Sequence, residues 1–460
     1  MNNFALPEMG SRLELEICDL NVDGSAVARH AGRVCFLDRG LPGERVLAEV
    51  TGQKKRALLA RVLETLAPSP DEVRPFCPYF GECGGCALQN LSYPAQLRFK
   101  QQRARQVLSR IGGVAFSGLP DILPSPRLAG YRNKMEYAFG QEDSGAVRLG
   151  LKRRASNEVL DLESCPLQSP AAGAVLRAVR AWARANGLAP RSLVLREPEY
   201  LKEGVRQRSA ELVCAAAPAP ALLDKLWAAL AGEGVTSLLI TLKISGAAGQ
   251  PGRPVKLYGP RSLWEEFGTL LLEFPLDGFA QTNTGAAALL YAKAAEYAGL
   301  RAGETLWDVY SGAGALALYI GKEAGSILGL EQNAAAVQAA RANAARLGPH
   351  PHYGRARFEA GEAARLLPAL ALKLKNKRPD LLVADPPRGG MSARVLEGIV
   401  KARPGRLLYV SCDPATLARD LAGLGPFYRL RSLALVDMFP HTPHLEAVAA
   451  LDLAPGPEYS

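Results

Sequence analysis

The chain has 460 residues, more than one hydrophobic core usually accommodates, so we expect two or three domains. Hydrophobic residues make up 48% and charged residues 22% of the chain, a composition that excludes wholesale disorder. Lysine and arginine number 55 against 45 aspartates and glutamates, and this net charge of +10 favours a polyanionic partner such as nucleic acid. The sequence lacks a signal-like start and any run near the roughly 18 apolar residues of a membrane span, which predicts a cytoplasmic protein.

The first domain is predicted over residues 1–66, where short runs alternate apolar and polar positions. Turn pairs such as Asp23-Gly24 and Pro42-Gly43 separate these runs. The pattern predicts a small antiparallel β-barrel. Lys54, Lys55 and Arg56 lie between two strand-like runs, where a hairpin could present them to phosphates, although a solvated turn explains them equally well.

The rest of the chain divides into two further predicted domains. Residues 67–274 mix strand-like and helical runs, which predicts an α+β domain. Its first helix, over 93–111, is basic, contains no acidic residue and could pack on the next domain. From 275 to 460 strand-like and helical runs alternate, which predicts a mostly parallel, doubly wound sheet of the Rossmann type.

A cluster of cysteines indicates metal or catalytic chemistry, because disulfides are not expected in a cytoplasmic protein. Cys77, Cys83 and Cys86 have the spacing C-x5-C-x2-C, and Cys165 lies in a second turn-like segment. Turns rich in glycine and proline let four sulfurs converge on an iron–sulfur cluster or on zinc, and the ligand count alone does not distinguish these. The spacing differs from the C-x3-C-x2-C of radical enzymes, so we expect a structural or RNA-orienting cluster.

A nucleotide-type motif begins the predicted parallel sheet in ETLWDVYSGAGALALYIGKEAG. A strand ends near Asp308, a turn follows through Gly312 and Gly314, and Glu331 closes the next strand 23 residues after Asp308. An acidic residue at that place can accept both ribose hydroxyls of a bound nucleoside. Two glycines are too few to surround a pyrophosphate, which favours S-adenosylmethionine over NAD.

Three later segments contain the candidates for chemistry. In DLLVADPPRGG, Asp385 follows an apolar strand, where open α/β sheets bind ligands. In RLLYVSCDPATLARDL, Cys412 lies between a strand and a helix whose N-terminus could stabilise its thiolate, although a lone cysteine at a strand end is often only a small buried hydrophobe. In VDMFPHTPHLEAVAALDL, His441, His444 and Glu446 do not match helix-borne zinc spacing, so Glu446 is interpreted as a base.

Together these segments resemble the RNA 5-methyluridine methyltransferases, in particular the 23S ribosomal RNA (uracil-5)-methyltransferases with an N-terminal TRAM domain and an iron–sulfur cluster. The resemblance covers nearly the whole chain. Its most specific parts are the cysteine motif with Cys165, D-P-P-R-x-G from Asp385, V-S-C-D-P-A-T-L-A-R-D around Cys412, and D-M-F-P-H-T-P-H-L-E ending at Glu446.

The resemblance implies specific roles. Cys412 is the nucleophile and Glu446 the base, and S-adenosylmethionine is the methyl donor. Residues matching positions that contact this donor are Gln281, Tyr310, Glu331, Glu362 and Asp385, and the cysteines that match ligands of a [4Fe-4S] cluster are Cys77, Cys83, Cys86 and Cys165. The chain departs from the family pattern at Ser311, Ala315 and Glu362, where cysteine, asparagine and a shorter polar residue are common.

The expected reaction is methylation of carbon 5 of a uridine in structured RNA, with 23S rRNA the first candidate substrate and a monomer the expected state. Transfer RNA is an alternative substrate. An RNA cytosine-5 methyltransferase and a non-catalytic RNA-binding assembly factor are alternative functions. The intact Cys412 and Glu446 argue against the assembly factor.

Overall fold

A computed structural model describes residues 7–21, 24–54, 57–142, 145–243, 252–347, 355–373 and 378–455. Of the basic triplet, Lys55 and Arg56 lie outside these residues. Within the described ranges no helix is long and apolar enough to cross a membrane. The chain forms two compact units: unit 1 comprises Met1–Arg103 with Phe439–Pro443, and unit 2 comprises the remaining residues.

Unit 1 contains the predicted barrel. Five strands close in the order β1-β2-β3-β5-β4, and their bounds are β1 (Arg12–Leu20), β2 (Ala26–His30), β3 (Arg33–Leu37), β4 (Arg45–Lys54) and β5 (Ala57–Ala67). The pairs are antiparallel as predicted, except that β3 and β5 are parallel. Alternate residues point inward because side chains along a strand alternate between faces. The barrel core also contains Leu88, Leu91, Ala95 and Phe99, so its apolar interior extends beyond the sequence that forms the strands.

The basic helix α1 (Tyr93–Gly112) forms as predicted, but several of its cations make contacts inside unit 1. The ammonium of Lys100, a fully buried residue, donates to the Phe439 carbonyl at 3.0 Å. Arg103 donates to the Pro443 carbonyl at 3.0 Å, and Arg98 pairs with Asp71 at 2.7 Å. These three side chains therefore stabilise the fold of unit 1.

The segment Phe439–Pro443 belongs to unit 1 although it lies far along the sequence, and hydrogen bonds also fix its central residue. Gln96, which is 1% exposed, accepts a hydrogen bond from the His441 amide at 2.8 Å. The amides of Ala87 and Leu88 both donate to the His441 carbonyl at 3.0 Å. His441 has a φ of +67°, a left-handed conformation that these contacts hold in place.

Unit 2 contains two large sheets. The first is the predicted α+β region, with the strand order β15-β14-β13-β10-β7-β8-β9. Its elements are β7 (Lys134–Gln141), β8 (Val147–Lys152), β9 (Val159–Asp161), α2 (Pro170–Ala185), β10 (Ser192–Arg196), β13 (Ser209–Cys214), α3 (Pro220–Gly232), β14 (Ser237–Leu242) and β15 (Arg253–Tyr258). Two small hairpins, β11 (Leu201–Lys202) with β12 (Val205–Arg206) and β16 (Ser262–Phe267) with β17 (Leu270–Pro275), complete this region.

The second sheet is the predicted doubly wound one, with eight strands in the order β20-β19-β18-β21-β22-β24-β23-β6. Its elements are β6 (Asp121–Leu123), α4 (Thr284–Ala298), β18 (Thr305–Val309), α5 (Ala315–Ile320), β19 (Ser326–Glu331), α6 (Ala334–Arg346), β20 (Ala356–Ala360), α7 (Ala363–Lys373), β21 (Leu381–Ala384), α8 (Ala393–Ala402), β22 (Arg406–Ser411), α9 (Pro414–Leu424), β23 (Tyr428–Val436) and β24 (Glu446–Leu453). The edge strand β6, from the region assigned to the middle domain, was missed by the sequence analysis.

A buried amide fixes helix α6 against its neighbours in unit 2. The side chain of Asn343, which is fully buried, accepts from the Glu273 amide at 2.9 Å and donates to the Glu273 carbonyl at 3.0 Å. It also donates to the Ala313 carbonyl at 3.1 Å, in the turn after β18. One side chain therefore joins α6, β17 and that turn.

We expect Asn343→Leu to lower the free energy of unfolding by about 2–4 kcal/mol, because it leaves buried backbone groups without their partner. Urea denaturation measures the change. The exposed Gln338 on the same helix provides a control, and Gln338→Ala should change stability by less than about 0.5 kcal/mol. Equal stabilities of the two variants would show that the Asn343 contacts contribute nothing.

Candidate active site

Candidate residues follow five adjacent strands of the second sheet at one edge. Strands β20, β19, β18, β21 and β22 are parallel, so their carboxyl ends lie along the same side. The residues at these ends, from β18, β19, β20, β21 and β22 respectively, are Tyr310, Glu331, Glu362, Asp385 and Cys412. This is the edge at which open α/β sheets bind ligands.

The antiparallel strand β24 brings Glu446 to the same edge. Ser411, the last residue of β22, pairs with Ala447, so the next pair outward in this register is Cys412 with Glu446. Glu446 is 5% exposed and Cys412 is half-buried. Two residues 34 positions apart in sequence are thereby placed side by side.

The turn after β18 has the backbone conformation that its glycines predicted. Gly312 and Gly314 have φ values of +53° and +83°, and Tyr310 is also left-handed at +76°. The Glu331 carboxylate accepts from the amides of Gly312 at 3.1 Å and Asn333 at 2.7 Å. The acidic residue is therefore fixed at the end of β19, next to this turn.

Buried polar atoms near this turn remain available to a ligand. Asp308 is 1% exposed, and among the described residues its carboxylate and the Ser311 hydroxyl make no hydrogen bond of good geometry, although the Ala317 amide contacts the Asp308 carboxylate and lowers its pKa. Burial, and then the neighbouring Asp385 carboxylate, raises the pKa of Asp308 to about 8. Buried polar groups are rarely left unpaired, so these atoms fit the binding of a polar ligand.

Gln281 precedes helix α4, which packs against β22, β23 and β24. The backbone carbonyl of Gln281 accepts from the Asn133 side chain at 2.9 Å. Asn283 caps α4 by accepting from the Ala286 amide at 3.1 Å, and its amide donates to the Met438 carbonyl at 3.0 Å. These contacts fix the segment that contains Gln281.

The acidic groups at this edge share a buried, electrostatically strained environment. Burial raises the pKa of Asp385 to about 7. Burial and then the Asp385 carboxylate raise the pKa of Glu446 well above its usual value, whereas the Arg388 guanidinium lowers it. Both carboxyls therefore hold their protons more tightly than exposed carboxyls do.

The pKa of the Cys412 thiol differs from the sequence-based expectation of a stabilised thiolate. Helix α9 does begin beside it, with Asp413 accepting from the Ala415 amide at 2.7 Å. Yet burial, followed by the carboxylates of Glu446 and Asp385, raises the pKa of Cys412 to about 11, and Arg388 opposes this rise. The predicted stabilisation of the thiolate by the helix is thus outweighed by desolvation and by two neighbouring acids.

Comparison with known proteins identifies the class of enzyme. The family model described as tRNA (Uracil-5-)-methyltransferase matches residues 269–453. A protein of Nitratidesulfovibrio vulgaris described as an uncharacterized RNA methyltransferase is 39% identical, with 96% of each chain covered. A second protein so described, from Halalkalibacterium halodurans, is 32% identical over 96% of this chain and 97% of its own. This chain belongs to the RNA (uracil-5-)-methyltransferase family.

A solved structure supports the fold of this methyltransferase along the chain. The tRNA (uracil-54, C5)-methyltransferase of Pyrococcus abyssi, determined in complex with S-adenosyl-L-homocysteine, has a TM-score of 0.72 at 25% sequence identity. The similarity covers 95% of this chain and 100% of the archaeal one. The predicted α/β architecture and the predicted enzyme class are therefore confirmed.

The sequence analysis missed two groups at the methyltransferase site. Arg388, an exposed residue of the D-P-P-R segment, is the cation whose charge lowers the pKa of both Cys412 and Glu446. The pKa of Tyr291, a buried residue of α4, is raised by burial and then by Asp385, Asp308 and Glu446, which places its hydroxyl near these carboxyls. The arginine of D-P-P-R was a detectable signal, whereas the tyrosine lies in an ordinary apolar helix pattern.

The cysteine prediction has a mixed outcome. None of the cysteines forms a disulfide bond within the described residues. Gln89 contacts the loop twice, accepting from the Cys77 amide at 3.2 Å and donating to the Cys86 sulfur at 3.4 Å. However, no group of three or more His, Cys, Asp or Glu side chains in the described part of the chain is arranged to hold a metal ion. The iron–sulfur site of Cys77, Cys83, Cys86 and Cys165 therefore stays a prediction.

The raised pKa of Cys412 predicts slow alkylation near neutral pH, since iodoacetamide reacts with the thiolate. The rate should rise with pH toward a midpoint near 11. Glu446→Gln should move this midpoint to lower pH, because it removes a neighbouring negative charge.

Mass spectrometry of the peptide that contains Cys412 measures the rate of alkylation. The Cys412→Ser variant shows how much label reaches that peptide without the thiol. Glu397→Gln, at an exposed position of α8, is the matched control and should leave the midpoint unchanged. A Glu446→Gln midpoint equal to that of the unmodified sequence would refute the electrostatic coupling.

Proposed function

We propose that this enzyme transfers a methyl group from S-adenosylmethionine to carbon 5 of a uridine in structured RNA, with Cys412 as nucleophile and Glu446 as base. The observation that carries the proposal is the β22–β24 register, in which Ser411, directly before Cys412, pairs with Ala447, directly after Glu446. The charges of Glu446 and Asp385 both raise the pKa of Cys412. The family membership and the net charge of +10 support an RNA substrate.

The residues available to hold the methyl donor lie at the carboxyl edge of the sheet. We assign Gln281, Tyr310, Glu331, Glu362 and Asp385 to this role on the resemblance. The last four also follow strand ends at this edge, whereas Gln281 precedes α4. The Asp308 and Ser311 oxygens, which make no hydrogen bond of good geometry among the described residues, support a polar ligand at this edge. S-adenosylmethionine supplies an electrophilic methyl group when bound.

The first chemical step assigned to the protein is addition of a thiolate. Carbon 5 of uracil is a weak nucleophile, and addition of the Cys412 sulfur to carbon 6 moves an electron pair onto the ring as an enolate. Carbon 5 of this enolate can then bond to the methyl group, while the bond between that methyl group and the donor's sulfonium sulfur breaks and its electron pair stays on sulfur as a thioether. The raised pKa of the resting thiol means that Cys412 must lose its proton at this stage of the reaction.

The second step is removal of the carbon 5 proton. After methylation that carbon holds both the methyl group and its original hydrogen. A base must take the hydrogen so that the ring double bond re-forms and the carbon–sulfur bond breaks. Glu446 has the position for this step, and its raised pKa makes its carboxylate a stronger proton acceptor than an exposed one.

Two substitutions should separate these steps. Cys412→Ala should abolish both methyl transfer and covalent capture of RNA, because the sulfur that forms the adduct is gone. Glu446→Gln should still add to the uracil and accept the methyl group but release product slowly, by at least about 100-fold for loss of a general base.

The Glu446→Gln variant should therefore accumulate a denaturation-resistant protein–RNA band that contains label from the methyl group of S-adenosylmethionine. The amide preserves the shape of the side chain, so packing is little disturbed. Normal turnover by Glu446→Gln would remove Glu446 from the mechanism.

For the RNA substrate, the resemblance stated from the sequence favours 23S rRNA. Transfer RNA is a second candidate, favoured by the similarity to the Pyrococcus abyssi tRNA enzyme. Mapping of 5-methyluridine in rRNA and tRNA from a strain lacking the gene tests both. Loss of one 5-methyluridine from 23S rRNA, with transfer RNA unchanged, supports the first candidate, and the opposite pattern supports the second.

We also infer, from the resemblance and the cysteine spacing, that Cys77, Cys83, Cys86 and Cys165 bind a [4Fe-4S] cluster. Protein purified without oxygen should then be brown and contain iron and acid-labile sulfide, and Cys86→Ser should lose them. Cys18→Ser, at an exposed cysteine in β1, is the control and should retain both. Near-stoichiometric zinc without iron would contradict the cluster.

A further inference from the structure

A second buried carboxylate lies close to Cys412 in sequence and has no part in the proposed chemistry. Asp420 is 0% exposed and belongs to α9, the helix that begins just after Cys412. One of its oxygens accepts from the Tyr409 hydroxyl at 2.7 Å and from the Met391 amide at 2.8 Å. The other accepts from Arg419 Nε at 2.8 Å. A buried charge is costly unless it is paired, and here three donors satisfy it.

Arg419 extends this arrangement to the turn after β21. Its Nη2 donates to the carbonyls of Gly389 at 3.0 Å and Met391 at 3.2 Å. Asp420 and Arg419 together thus hold one amide and two carbonyls of the segment Gly389–Met391. We call Asp420, Arg419 and Tyr409 the α9 latch.

Gly390 allows the close approach of this turn to the latch. It has a φ of +72°, and its amide donates to the Pro387 carbonyl at 2.8 Å. A Cβ at this position would lie 2.5 Å from Arg419 Nη2 and 2.7 Å from the Asp420 carboxylate. Any other residue at 390 must displace the turn or the latch.

The turn after β21, which the α9 latch holds, also contains Arg388, the residue directly before Gly389. Four charged or titratable groups determine the electrostatics of the nucleophile: Glu446 and Asp385 oppose the thiolate, Arg388 favours it, and Cys412 itself titrates among them. Arg388 is the single cation among these facing groups. Arg388 is exposed, so the turn that precedes Gly389 determines where its charge lies relative to the thiol.

We propose that Asp420 is a positioning residue of this methyltransferase, which holds the turn after β21 so that Arg388 faces Cys412 and Glu446. The latch joins three elements around the nucleophile: β22, which contains Tyr409 and ends at Ser411, directly before Cys412; α9, which follows Cys412; and the turn that contains Arg388. The proposal relies on the proposed function only for the role of Cys412 as nucleophile.

The direction in which Asp420→Asn changes the rate of Cys412 alkylation distinguishes this positioning role from a direct effect of the Asp420 charge. Asp420→Asn removes a negative charge, so a direct effect would ease ionisation of Cys412 and speed its alkylation. Release of the turn would weaken the influence of Arg388 and slow alkylation. The two explanations therefore predict opposite changes.

The test is the rate of iodoacetamide alkylation of Cys412 as a function of pH in the full-length protein, without RNA or S-adenosylmethionine. Below the midpoint, Asp420→Asn should react about three- to tenfold more slowly than the unmodified sequence, the change expected for a shift of about 0.5–1 pKa unit. Arg388→Ala should show a similar decrease, and the double variant should show little further decrease, because both changes remove the same interaction.

Two variants that leave the charge of the protein unchanged test the proposal if Asp420→Asn does not fold. Gly390→Ala disturbs the turn without changing charge and should also slow alkylation. Gly389→Ala is its matched control, since a Cβ there meets no atom within 4 Å. Faster or unchanged alkylation in both Asp420→Asn and Gly390→Ala would overturn the proposal. Because alkylation requires no methyl transfer, failure of the proposed function would appear separately, as absence of methylation by the unmodified enzyme.

Discussion

The antiparallel pairing of β24 with β22 is the constraint on which the active site depends. Every strand of this sheet except β24 runs in the same direction, so all of these strands have their carboxyl ends at one edge. One antiparallel strand brings an amino end to that edge, and Glu446 is its first residue. A slip of one residue would turn Glu446 to the opposite face and replace it with an alanine, since side chains alternate along a strand. Burial of β22 and β24 fixes the register.

A consequence of this arrangement is that several acids and a thiol share a desolvated region. Each group holds its proton more tightly than it would in water, as the raised pKa values of Asp308, Asp385, Glu446 and Cys412 show. The resting site is thus less negative than its composition suggests. Arg388 is placed to offset the remaining charge, and the geometry of its turn determines how far it does so.

Much of this fold was predictable from local patterns. The strands that end at Glu331 and directly before Cys412 are short apolar runs between helical ones, and the structure contains both. Strand β6 was missed because three residues, Asp121–Leu123, have no detectable period and form a strand only through pairing with β23. The sequence motifs identified Cys412 and Glu446, but the sign of the shift in the Cys412 pKa depends on which charges surround it in space.

The return of Phe439–Pro443 to the N-terminal unit affects how the protein is made. Gln96 and His441 are 345 residues apart in sequence, yet they are hydrogen-bonded within one compact unit. A ribosome adding about 5–20 residues per second needs about 20–70 s to synthesise that interval. During this time the emerging barrel and the first half of α1 lack the segment that accepts from Lys100 and Arg103. Unit 1 is therefore completed only after Phe439–Pro443 has been synthesised, and until then the nascent chain exposes the surface of α1 that this segment contacts.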